Sequence, residues 1–372
     1  MESALKEHRQ PRAFDGVSLD IACKLDAAFP GYLNGAFHAT NLRRQAQFAA
    51  YAEIDFSQAE ALAARLRQLA PTPSNLDLNP FAEIASALTC LRARQVVRGV
   101  YGSLPHGFLG LLGRLGPDPL PKPDDYRLAF NLFNDPVNRA RAKLLRQVEG
   151  QITAANIRVA AKLDPLLLCS SALDRVYDVP QVEALHAVLS LIRSLVPEAT
   201  DEALRQSLTQ LSPSDRSMSK WVQRWLRQMK HVPLVPPIPV GDPDLRLIHG
   251  SEMADLGRRF QNCAADRIGY VAIASRLYLE WTGPGEPAVV ELRCLQGGRF
   301  VIEDIRGVRN ANPAPFVATA IRARLKAAGV LSYSGHGRSR LGDGLMNLVG
   351  AWDHGDEGVP EPFLADLLGE AA

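Results

Sequence analysis

Cysteine is scarce in this chain and never paired. The five present, Cys23, Cys90, Cys169, Cys263 and Cys294, stand singly, which excludes a disulfide framework and a zinc site of the CxxC type. No Cys/His cluster has metal-ligand spacing, and no cofactor is implied. Long apolar runs are also missing. A stretch such as residues 107–112 (GFLGLL), bounded by His106 and Arg114, is much too short to cross a bilayer. The opening MESALKEHRQPRAFDG lacks the apolar core of a secretion signal, so a cytoplasmic protein with no membrane partner is expected. Charge of one sign is lacking too: 42 Lys and Arg against 40 Asp and Glu leave +2, too mild to announce nucleic acid by composition alone. There is no P-loop, GxGxxG, HExxH, GxSxG or zinc-deaminase pattern, and no fixed-period repeat of the kind that builds a solenoid.

What is present is a 372-residue chain with 47% hydrophobic residues, enough for two or three domains with full cores. From about residue 17 to 230 apolar positions recur at three and four, the helical period. Phe56, Ala59, Leu62, Ala63, Leu66 and Leu69 form one stripe, with Asp55 or Ser57 as cap. Ile84, Leu88, Leu91 and Val96 form a second, and Leu185, Val188, Leu189, Ile192 and Val196 a third. Prolines at Pro71 and Pro73, and again within residues 117–123 (PDPLPKP), cut these helices apart. Four prolines in residues 231–239 (HVPLVPPIP) cannot sit in a helix interior or a central strand, so an extended connector is expected over 231–244.

Beyond it the period changes. Ser251 is placed to cap a helix whose Met253, Leu256, Phe260 and Cys263 share one face, with Asp255, Arg258 and Asn262 turned away. Leu277, Leu279 and Trp281 alternate with Arg276, Tyr278 and Glu280 as in a half-buried strand. Gly283 to Pro287 turns the chain. Val290, Leu292 and Cys294 mark a second strand, Gln296 to Arg299 a tight hairpin, and residues 300–306 (FVIEDIR) a third strand. Asn312-Pro313 opens a closing helix with Phe316, Val317, Ala320, Ile321 and Leu325 inward, ending at Gly329. The expected fold class is thus a mostly α N-terminal region (1–230), a proline-rich linker (231–244), a small α+β domain with a three-stranded antiparallel meander (245–330) and an irregular tail (331–372).

The order of residues in this last third resembles the PcfJ-like proteins of bacterial plasmids, phages and related mobile elements. The resemblance rests on Cys263 at a helix end, Tyr270 just after it, a strand, a strand carrying Glu291, and a third strand running into Arg306-Gly307-x-x-Asn310. It covers roughly residues 245 to 312. One departure lies in the last strand, where Asp304 stands in place of the glutamine expected ahead of the arginine-glycine pair. The resemblance implies association with mobile elements, conjugation or conflict between replicons, and the leading expectation is an accessory protein that contacts DNA, RNA or protein partners of the same element. It implies no reaction.

Two kinds of site are open. In one, an enzyme uses Cys263, Asp304, Arg306 and Asn310. A nucleophilic cysteine needs exposure and a neighbouring cation, yet the periodicity places Cys263 on an apolar face at a helix C-terminus, as for a buried structural cysteine. Asp304 and Arg306 fall on the same strand face as Phe300 and Ile302, as a strand end emerging into solvent, an internal ion pair or, with Arg309 and the Gly307 backbone, an anion clamp. Gly307 is expected to need a positive φ or a close backbone approach. His249 lies at the opposite end of the helix from Cys263; His336 reaches it only if the tail folds back. In the other reading, Lys220, Arg224, Arg227 and Lys230, with Arg216, surround Trp221 and Trp225 as a basic amphipathic helix for nucleic acid. The alternative for that helix is indoles packed inward and cations left in water.

Overall fold

The structure is a computed structural model. It describes residues 10–54, 59–69, 79–212, 214 and 217–332. The Phe56, Asp55, Ser57, Pro71, Pro73, Arg216 and His336 expectations, and the tail beyond 332, lie outside the described residues. The chain divides into two compact units, residues 1–182 and 183–372.

The first unit is helical. Several of its helices start at side-chain caps: Thr40 for Asn41–Ala52, Asn79 for Pro80–Cys90, where Pro80 takes the first position, and Thr153 for Ala154–Lys162. Ala59, Leu62, Ala63 and Leu66 are buried along Ala59–Arg67, as the period requires. The second expected stripe is broken by an extended Leu91, so Ile84 and Leu88 belong to one helix and Val96 to the next, Ala93–Tyr101. Residues 117–123 contain no helix. They are fixed instead by two buried side chains: Arg44 donates to the Pro117 carbonyl (2.8 Å), and Gln45 to the carbonyls of Gly116 (2.9 Å) and Asp118 (2.7 Å).

In the second unit a four-stranded antiparallel sheet has the order β1 (Leu245–Leu247), β2 (Arg276–Trp281), β3 (Ala288–Leu295), β4 (Arg299–Arg306). The expected meander is β2–β4. The short edge strand β1 is an addition that three residues of sequence are too few to signal. One sheet face, with Leu277, Leu279, Trp281, Val290, Leu292, Phe300, Ile302 and Ile305, packs on Val317, Ile321 and Leu325 of the helix Pro315–Ala327. Phe316, expected inward on that helix, is 64% exposed.

The opposite face is covered as well, which the alternation in β2 did not reveal. Every residue of β2 is buried, including Arg276, Tyr278 and Glu280. The connector also differs from expectation. Ile238 is buried in the sheet core, with Val232 and Leu234 packed against it. The extended prolines serve as a strap along the sheet's apolar face, in the same compact unit as the helices from residue 183 onward.

Candidate functional site

Four local features assemble the site. The first is the early end of the helix Met253–Phe260, which stops because Gln261 adopts a left-handed conformation (φ 50°). Asn262 then caps a new 3-10 turn, Cys263–Arg267, its side-chain oxygen accepting the Ala264 amide (3.0 Å). The turn folds back on the helix at Gly257, where a Cβ would lie 3.2 Å from the Ala265 nitrogen. The expectation for Cys263 is therefore overturned: it opens a turn rather than closing a helix, and it is exposed rather than buried. Ser251 is likewise no cap. It lies inside a 3-10 turn, Gly250–Glu252, that precedes the helix.

A β-bulge supplies the second feature. Glu291 pairs with Asp304 and Leu292 with Ile302, so Glu303 is an extra residue in β4. Side chains alternate with period two, and one extra residue reverses the faces beyond it. Asp304 and Arg306 consequently point away from the face of Phe300 and Ile302, contrary to the simple alternation, while Ile305 joins the core.

The turn after β4 is the third. Arg309 and Asn310 carry positive φ (57° each), whereas Gly307 has φ −82° and its position would accept a Cβ at ordinary contact distance. The expected role of Gly307 thus falls to its neighbours. Its amide is also committed, donating to the Ala311 carbonyl (2.8 Å), and Arg309 donates to Gln261 (2.8 Å). The anion clamp of Arg306, Arg309 and the Gly307 backbone does not form. Arg306 itself holds Asp304 (2.8 Å) and Asn312 (2.8 Å).

Tyr270 is the fourth. Its ring lies under two guanidiniums, Arg276 at 4.7 Å and Arg267 at 5.5 Å. Arg276 pairs with Glu291. Arg267 stands beside the Cys263 sulfur, a contact that, ahead of the opposing effect of burial, holds its guanidinium above the ordinary arginine range.

These elements enclose a cleft of about 400 Å³ lined by Asn262, Cys263, Ala264, Arg267, Tyr278, Val289, Glu291, Asp304, Arg306 and Asn310. All four residues expected for an enzymatic site are in it. Sequence reading missed Arg267, Asn262 and Tyr278 as lining residues. Asn262 did carry a signal, since Asn is among the preferred residues for capping the start of a helix. Tyr278 is 3% exposed, and its buried hydroxyl lies beside Glu291 without a well-formed hydrogen bond. Burial first, then the neighbouring Glu291, pushes this phenol far above its ordinary pKa, so it is a neutral donor.

The basic helix, Ser219–Leu226, has its two indoles packed inward, and both ring nitrogens donate to the Ser207 hydroxyl (2.7 and 3.0 Å). Of its cations, Arg227 lies 3.6 Å from Asp266 and Lys230 pairs with Glu198, while Arg224 is exposed. His249 faces His231, ring centroids 6.2 Å apart, and is not among the cleft residues. Among the described residues no group of three His, Cys, Asp or Glu is placed to hold a metal ion, and no helix is long and apolar enough to cross a membrane. Comparison with protein-family models, curated proteins and solved structures finds no match.

Proposed function

We propose that this chain is a PcfJ-like accessory protein of a bacterial mobile element that works as an enzyme through the cleft between the Cys263–Arg267 turn and the ends of β3 and β4, with Cys263 as its reactive group. One observation carries the reading. The residues behind the resemblance, distant in sequence, converge: Cys263, Glu291, Arg306 and Asn310 line one cleft, and Tyr270 seats the arginines behind it. Exposure and a neighbouring cation are what thiolate chemistry requires; Cys263 is exposed and shares its turn and its cleft with Arg267. The nucleic-acid reading has less behind it, because two of the four cations offered for it are already beside carboxylates.

The test is alkylation of the native full-length protein by iodoacetamide at neutral pH, mapped by mass spectrometry. Cys23 and Cys90 are exposed too and serve as internal references. Cys263 should react about tenfold faster than either, the effect of roughly 1.4 kcal/mol in the barrier. Equal rates at the three exposed thiols would reduce Cys263 to an ordinary surface cysteine and overturn the reading.

A further inference from the structure

Two features of the cleft are unexplained by the fold. The first is the balance of its charges. Glu291 is paired with Arg276, and Asp304 with Arg306. Arg267 has no carboxylate partner among the described residues, although it is half-buried and held over Tyr270. The second is the Tyr278 hydroxyl, buried in the cleft wall beside Glu291 without a well-formed hydrogen bond to it, Glu291 being engaged by Arg276. A buried polar group left unpaired costs about 1–3 kcal/mol, so such groups in a cleft wall mark the place of an absent partner.

We infer that the cleft holds the anionic oxygen group, carboxylate or phosphate, of a small-molecule ligand, with Arg267 supplying the charge and the Tyr278 hydroxyl a hydrogen bond. The inference rests on the cleft being the working site, and it adds the ligand's chemical class. Three arguments support it. A guanidinium presents a planar fork that suits carboxylate and phosphate oxygens, and Tyr270 restricts where this fork can point. A neutral phenol adds a donor without adding charge. The volume, about 400 Å³, is in the range of roughly 300–1,000 Å³ typical of small-molecule sites and is larger than a bare ion needs. The two carboxylates in the wall do not forbid an anion, because each is neutralised by its own arginine.

Binding of inorganic phosphate and of acetate to the full-length protein, followed by thermal shift and calorimetry, tests this. At least one anion should raise the melting temperature saturably, and which one binds tighter separates a phosphate from a carboxylate ligand. Arg267→Gln should weaken binding about tenfold or more, the loss of about 1.4 kcal/mol. Tyr278→Phe should weaken it severalfold and, because it removes an unpaired hydroxyl, leave the melting temperature without anion unchanged or higher. Anion binding and alkylation of Cys263 are read separately, so a failure of thiol reactivity would leave anion binding standing, and the reverse. Absence of saturable binding by either anion, or unchanged affinity in Arg267→Gln and Tyr278→Phe, would overturn the inference. A Tyr278→Phe protein that melts lower without anion would also count against it, since the hydroxyl would then be satisfied by Glu291 in the free protein.

Discussion

Glu280 shows at the scale of one residue how the cleft-side face of the sheet is held. It is buried, and it accepts from Arg246 (2.6 and 3.2 Å) and from both terminal nitrogens of Arg259, which in turn holds Asp255 (2.8 Å). Burial opposes its ionisation, and the forks of Arg259 and Arg246 more than offset that, holding its carboxyl below the ordinary value. A carboxyl with a depressed native pKa contributes stability that is present above its unfolded value of about 4.3 and is lost as pH falls through the native value. Glu280→Gln should therefore cost about 2 kcal/mol at pH 7, less than a fully buried pair because both arginines are 40–44% exposed. The difference from wild type should shrink below about pH 4. Urea midpoints at pH 7 and pH 3 check it; a gap independent of pH would assign the cost to packing. The alternation in β2 placed Glu280 and Tyr278 together on the face opposite Leu279, and that was legible. That this face is buried was not, because what covers it comes from helices whose docking no local pattern encodes.

At the scale of elements, the strap and the bulge carry the lessons. Composition excluded helix and central strand from residues 231–239, and the segment forms neither. It could not tell a free connector from a packed one, because the distinction depends on where Ile238, Val232 and Leu234 land. Ile238→Ala should destabilise the sheet unit by about 2–3 kcal/mol, the cost of truncating a buried aliphatic side chain. A loss under about 0.5 kcal/mol in urea denaturation, as for an exposed linker residue, would return the segment to the role of a spacer. The bulge at Glu303 is a different failure of legibility. FVIEDIR reads as a clean strand, and only the pairing partner reveals the extra residue. Without it Asp304 and Arg306 would share the face of Phe300 and Ile302, against the apolar layer, and the cleft would lose both.

For the whole molecule, the change of period from helical to alternating gave the fold class, since each period has one physical solution for burying its apolar side. The site was half legible: its polar residues stood out by type, whereas their convergence depends on two left-handed turns and one bulge. The division of the chain also provides a control. Cys23, Cys90 and Cys169 lie in the first unit, while Cys263 and the whole cleft lie in the second. Each intact protein molecule thus carries its own reference thiols. The most direct measurement is the ratio of alkylation rates by anionic iodoacetate and neutral iodoacetamide, determined at each cysteine of the native protein. Arg267, in the same turn as the sulfur and in no salt bridge among the described residues, should draw the anionic reagent in. The ratio at Cys263 should exceed that at Cys23 and Cys90 severalfold, fall as salt is raised, and return to theirs in Arg267→Gln. A ratio at Cys263 equal to the reference cysteines at low salt, or unmoved by Arg267→Gln, would contradict the account.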